Sequence, residues 1–107
     1  MDKETLNKRI AAGNFVENNG AVLRAINMLG VKFNKLQELS YATYIEKADF
    51  EVSADYLYES GYIHLRHIDT KKPTSLADTR FEKLEAKLTQ KGKQLIAGVI
   101  QDECVEV

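Results

Sequence analysis

Leu57-Tyr58-Glu59-Ser60-Gly61-Tyr62-Ile63 and, further on, Leu88-Thr89-Gln90-Lys91-Gly92-Lys93-Gln94-Leu95-Ile96 are the two stretches on which the reading of this chain turns. The first reads as a helix end followed by a strand start. Asp49 is of the N-cap type, and Phe50, Ala54 and Leu57 recur at i, i+4 and i+7, one core-facing stripe. Gly61 stands where a helix stops and the backbone turns to positive φ. From Tyr62 to Ile68 the residues are β-formers in alternation, Ile63 and Leu65 against His64 and Arg66. Residues 69–78 are polar and hold the only proline, Pro73, and so read as a loop. Phe81 to Leu88 reads as a returning strand, with Leu84, Ala86 and Leu88 alternating against Lys83, Glu85 and Lys87. Thr89 can then cap a last helix whose stripe is Leu95 and Val99 with Ile96 or Ile100.

Upstream the pattern is helical. Residues 2–12 read as a short helix with Leu6 and Ile10 on one side, and Gly13-Asn14 as its stop. Asn14-Phe15-Val16-Glu17 has the form of a capping box that restarts a helix. Asn18-Asn19-Gly20 is a turn signal, so the spacing leaves open whether residues 14–30 form one helix or two. Val22, Ile26 and Leu29 make a stripe that Gly30 ends and Phe33 extends into a loop. Asn34 is placed to cap the next helix, with Gln37 in the capping-box position and Leu36 and Leu39 facing inward. The division expected is an N-terminal helical extension over 1–19 and one domain over 20–107.

Composition narrows the function classes. The 107 residues are 44% hydrophobic and 29% charged, with a formal net charge of −1. That suits a soluble globular domain with no global basic excess. No apolar run approaches the length of a bilayer span, and the N-terminus has no apolar leader core, so the expected location is cytoplasmic, without membrane contact. Cys104 is the only cysteine and is expected as a reduced thiol. His64 and His67, three apart on a strand, point to opposite faces, and no second ligand cluster accompanies them, so no metal is expected. Gly13, Gly20 and Gly30 are isolated, not a phosphate loop, and no serine has a nucleophile-elbow context. The chain is expected not to be an enzyme and to hold no cofactor.

Helix, helix, helix, strand, loop, strand, helix is the order of a winged helix-turn-helix: a three-helix core, a two-stranded β wing and a C-terminal helix, with an extra N-terminal helix here. The fold class expected is therefore α+β. The segment 57–63 resembles the Leu-x-x-x-Gly-aromatic-Ile end of the third helix in MarR-like and PadR-like bacterial transcription regulators. Leu88-Thr89-Gln90-Lys91-Gly92 resembles the Leu-Thr-x-Lys-Gly segment after their wing. The resemblance covers roughly residues 20–100. It implies a small regulator of bacteria or their mobile elements that binds duplex DNA as a dimer, with the third helix as reader. Homodimerisation would run through terminal helices, since Leu6 and Ile10 need cover from the last helix or from a second copy.

One feature departs from that pattern. Glu51, Val52, Ser53, Asp55, Tyr56 and Glu59 would lie on or near the exposed side of the third helix, yet residues 49–60 hold four acids and no Lys or Arg. Duplex affinity rests largely on neutralising phosphates with Lys and Arg. Residues 62–93 hold eight bases against four acids, a net +4. The expectation is thus a wing-led mode through Arg66, Lys71, Lys72 and Arg80, with Lys71 and Lys72 at the tip. The alternative is a winged helix turned to protein–protein contact, phage or mobile-element encoded, with Glu51, Ser53, Asp55 and Tyr56 on the binding face. A packaging component of a phage-like assembly is a third reading. Tyr41, Tyr44, Tyr56, Tyr58 and Tyr62 are expected either to complete the edge of the core or to offer a partner surface.

Overall fold

A computed structural model describes residues 2–28 and 30–107 of the chain. Four helices and a three-stranded antiparallel sheet follow one another as α1 (Lys3–Met28), β1 (Asn34–Lys35), α2 (Leu36–Thr43), α3 (Lys47–Glu59), β2 (Ile63–His67), β3 (Leu84–Leu88) and α4 (Gln90–Ile96), with a 3₁₀ turn at Phe81–Lys83 before β3. The architecture is mixed α+β. Strand order is β1-β3-β2, and the expected return pairing is present, from Ile63 opposite Leu88 to His67 opposite Leu84. No helix among the described residues is long and apolar enough to cross a membrane.

The core lies where the inner face of the sheet meets the helices. Phe50, Ala54 and Leu57 of α3, Val22, Leu23 and Ile26 of α1, and Leu84 and Ala86 of β3 are all sealed from solvent. The Phe50 and Phe81 rings meet edge to face at 5.7 Å, tying the start of α3 to the turn before β3. The stripe position Leu29 lies outside the described residues.

Two motifs lock the sheet to the last helix. Gly61 has the positive φ expected of it, 82°. Its carbonyl accepts from the Thr89 hydroxyl at 2.6 Å, and the Tyr62 carbonyl accepts from the Thr89 amide at 2.9 Å. The same Thr89 oxygen accepts from the Gly92 amide at 3.1 Å, the predicted cap of α4. A Cβ on Gly92 would meet the Tyr62 carbonyl oxygen at 2.1 Å, so only glycine lets α4 lie this close to β2.

Several expectations are corrected. No stop occurs at Gly13-Asn14 and no turn at Asn18-Asn19-Gly20: α1 is one unbroken helix of 26 residues, about 39 Å long. It therefore runs through the 19/20 position where the sequence suggested a boundary. What marks that position is burial, which begins at Asn19 and Gly20, while residues 2–14 are exposed. The cause is the C-terminal segment. Its backbone crosses α1 at Gly20, where a Cβ would sit 1.7 Å from the Glu106 carbonyl oxygen. Asn19 Nδ2 donates to the Cys104 carbonyl at 2.9 Å, Arg24 donates to the Glu106 carbonyl at 2.6 Å, and Val105 is buried.

Asn34 does not cap α2. It pairs with Ala86 in the sheet, and α2 begins after Lys35 with no side-chain cap. Asp49 lies in the first turn of α3, not before it, where its carboxylate favours the helix N-terminus. Phe81 starts a 3₁₀ turn, not a strand. Val99 is 75% exposed, because α4 ends at Ile96 and Gly98 turns the chain away; Ile96 and Ile100 pack on the core instead.

The two glycines inside α1 should respond with opposite sign to the same change. Gly13 has open space, so Gly13→Ala is expected to stabilise by about 0.5–1 kcal/mol through helix propensity. Gly20→Ala must lift the C-terminal segment and re-expose Val105, and is expected to cost about 2 kcal/mol net. Urea unfolding of both variants measures the pair.

Candidate nucleic-acid interface

Alternation along the strands sorts the sheet residues onto two faces. Residues directly opposite in an antiparallel pair share a face. Arg66 stands opposite Glu85, and Glu85 opposite Lys35, which forms one row across β2, β3 and β1 on the outer face. The next row holds His64 opposite Lys87. Lys71 reaches the same face from the loop, and Phe33 lies on it from the segment before β1.

The outer face is organised around one carboxylate. Glu85 is 5% exposed and accepts from Arg66 Nε at 2.6 Å and Lys71 Nζ at 3.0 Å, both on Oε1. The Arg66 guanidinium stacks 3.6 Å from the centre of the Phe33 ring, and Lys87 Nζ stands 5.3 Å from it. Four cations, Lys35, Arg66, Lys71 and Lys87, thus surround a single acid. They line, with His64 and Pro73, a shallow cavity of about 320 Å³ over the Phe33 ring, Lys35 alone standing outside it. Burial pushes the Glu85 carboxyl up, but its bonds to Lys71 and Arg66 outweigh burial and hold it below the ordinary value. It stays ionised, and only part of the cationic charge is neutralised.

The loop closes in a tight turn directly after β2. Lys71 takes a left-handed conformation, φ 60°, in a tight turn in which its amide donates to the His67 carbonyl and the His67 amide donates to the Lys72 carbonyl. Pro73 bridges to Arg66 and the Thr74 amide donates to the Leu65 carbonyl, so the chain doubles back along the free edge of β2. Of the wing residues expected at the interface, Arg66 and Lys71 meet on Glu85. Lys72 is exposed nearby, and Arg80 stands apart, exposed, at 3.9 Å from Glu82.

On α3 the expected exposed set divides. Asp55 is exposed and Glu51 half-buried beside Lys47. Ser53, at 1% exposure, faces the core instead of solvent. Tyr56 also turns inward: its ring meets Phe15 edge to face at 5.2 Å, and its hydroxyl donates to Asp102 at 3.1 Å. Tyr62 donates to the same carboxylate at 2.6 Å, and the Cys104 amide donates to it at 2.8 Å. Burial and the carboxylate push both phenols up. Burial acts to raise Asp102, but these donors outweigh it and leave it below the usual carboxylate range. Tyr41 and Tyr44 stand exposed.

Sequence reasoning counted Lys87 among the bases of residues 62–93 but gave Phe33 and Glu85 no part in an interface. Strand alternation places Arg66 with His64 and Glu85 with Lys87, which was a usable signal. Nothing local places Phe33 or Lys35 beside them, because β1 is two residues long and its pairing with β3 is a long-range contact. Compared with known proteins, the chain matches no protein-family model, no curated protein and no solved structure.

The pH dependence of stability follows from Glu85 and Asp102. Both native carboxyls lie below their unfolded values, so on acidification the unfolded chain binds the protons first. Their contribution is complete above about pH 4, the unfolded carboxyl value, and is lost as pH falls through the depressed native values. Glu85→Gln is expected to cost about 1–3 kcal/mol at neutral pH, by stranding Arg66 and Lys71. Urea unfolding at neutral pH and near pH 3 should show that gap narrowing in acid, because the parent protein loses there what the variant already lacks.

Proposed function

We propose that this chain is a winged helix-turn-helix module that binds duplex DNA and acts as a small regulator. Its phosphate contacts come from the outer face of the sheet, not from the third helix. The observation that carries this reading is the row Lys35–Glu85–Arg66 with Lys87 beside it: cations from three strands on one face, set around a single carboxylate. Phosphate neutralisation supplies most of non-specific duplex affinity, and this is the face able to supply it. The acids of α3 weigh against the helix entering a groove. Its one base, Lys47, is already held by Glu82 and Glu51.

Arg66 is suited to the role because the Phe33 ring and Glu85 hold its plane in one orientation. Lys72, exposed at the turn, extends the same surface. The exposed first turns of α1, with Leu6 and Ile10 uncovered, would serve a second copy in a two-fold arrangement on DNA.

A salt titration on a random-sequence duplex, from about 50 to about 200 mM, tests the reading. Affinity should fall steeply with salt. Lys35→Ala with Lys87→Ala should make the log–log slope shallower by about 2, one for each lost phosphate contact. Asp55→Ala should leave the slope unchanged. Absence of measurable duplex binding by the parent protein at about 50 mM salt overturns the proposal.

A further inference from the structure

The surface of α3 that faces away from the core is not merely unfit for DNA; it forms one wall of a groove. The other wall is the segment 76–82 on its way from the loop to β3. The groove holds about 660 Å³, and Ala48, Val52 and Leu76 supply its apolar lining above the Phe50–Phe81 pair. Val52 is 55% exposed there, a β-branched apolar side chain on a helix whose next two residues, Ser53 and Ala54, are buried. An exposed apolar side chain with an apolar wall opposite it is a place for an anchor residue.

The charge around this groove has a definite sign. Lys47 lies against Glu82 and Glu51, and Arg80 is exposed with Glu82 3.9 Å away, so the lining acids Glu51, Asp55 and Glu82 outnumber these two cations by one. Asp55 on the groove wall, with Asp49 and Glu59 elsewhere on α3, has no cationic group within 4 Å among the described residues. The uncompensated charge is therefore negative, and it borders an apolar floor. None of these residues belongs to the outer face of the sheet, so the two surfaces can be occupied at once.

We infer that this groove docks a segment of a partner protein that inserts one apolar side chain beside Val52 and flanks it with lysine or arginine. The anchor would pack on Val52, Ala48 and Leu76, and the flanking cations would pair with Asp55 and the neighbouring acids. The same charges disfavour duplex DNA on this surface. The inference does not depend on the DNA reading; together they describe a module that holds nucleic acid on one face and a protein on another.

The test uses the full chain and a random-peptide library displayed on phage. Selected peptides should share an apolar residue flanked by Lys or Arg. A synthetic peptide of that consensus should bind with amide shifts centred on Ala48, Val52, Asp55 and Ala77. Its affinity should fall at least about tenfold with Val52→Arg and Asp55→Lys together, and about threefold with Asp55→Asn alone, a change too small to disturb folding. Thermal unfolding checks that the variants remain folded, and duplex binding in them should be undiminished, which separates failure here from failure of the DNA reading. Selection of no peptide, a consensus without bases, or shifts centred on the sheet or elsewhere overturns the inference. So does an affinity unchanged in both variants, or duplex DNA that shifts the same α3 amides.

Discussion

The contact between the end of α3 and the start of α4 holds the remaining parts of this protein in place. Gly61 and Tyr62 present their carbonyls to Thr89, and Gly92 lets the last helix lie against Tyr62 without a side chain between them. This short contact does three things. It turns the chain out of α3 into β2, it registers β2 on β3 through Ile63 and Leu88, and it starts α4 with the free Gly92 amide satisfied. Lys91 adds a fourth tie, donating to the Ser60 carbonyl at 3.0 Å. The face on which each sheet side chain lies follows from that register, since a slip of one residue would exchange the inner and outer sets.

A second constraint works from the other side of the molecule. The C-terminal segment runs over α1 at Gly20 and places Asp102 between Tyr56 and Tyr62. One carboxylate thereby joins α3, the start of β2 and the chain end, and Asn19 and Arg24 tie that end to α1. The second half of α1 is held by this strap and by the core. The first half extends beyond both. The molecule is accordingly elongated, 50 × 31 × 22 Å.

Charge is distributed by the same geometry. A global balance of −1 hides two surfaces of opposite character. On the outer sheet face a single buried glutamate gathers Arg66 and Lys71, and the Phe33 ring orients the arginine. On α3 the acids outnumber the cations, and the one lysine is neutralised within the groove. A net positive count over residues 62–93 is a poor guide to where that charge lies, because Arg80 and Lys83 face local acids while Lys35, from outside the segment, joins the cationic face.

The local units of this protein are legible in short stretches of its chain. The stripe of Phe50, Ala54 and Leu57, the stop at Gly61, the antiparallel return of Leu84 to Leu88 and the Thr89 cap all follow from periodicity and backbone chemistry within a few residues. The continuity of α1 rests on contacts distant in sequence. Gly13 and Asn18-Asn19-Gly20 are weak breakers, and the backbone passing at Gly20 rewards a glycine inside a helix in a way no local rule registers. The assignment of surfaces was tertiary too: Ser53 and Tyr56 turn inward, and Phe33 and Lys35 join Arg66 and Lys87. Spacing along a chain tells which residues share a face, but which face is covered depends on partners brought from far away in sequence.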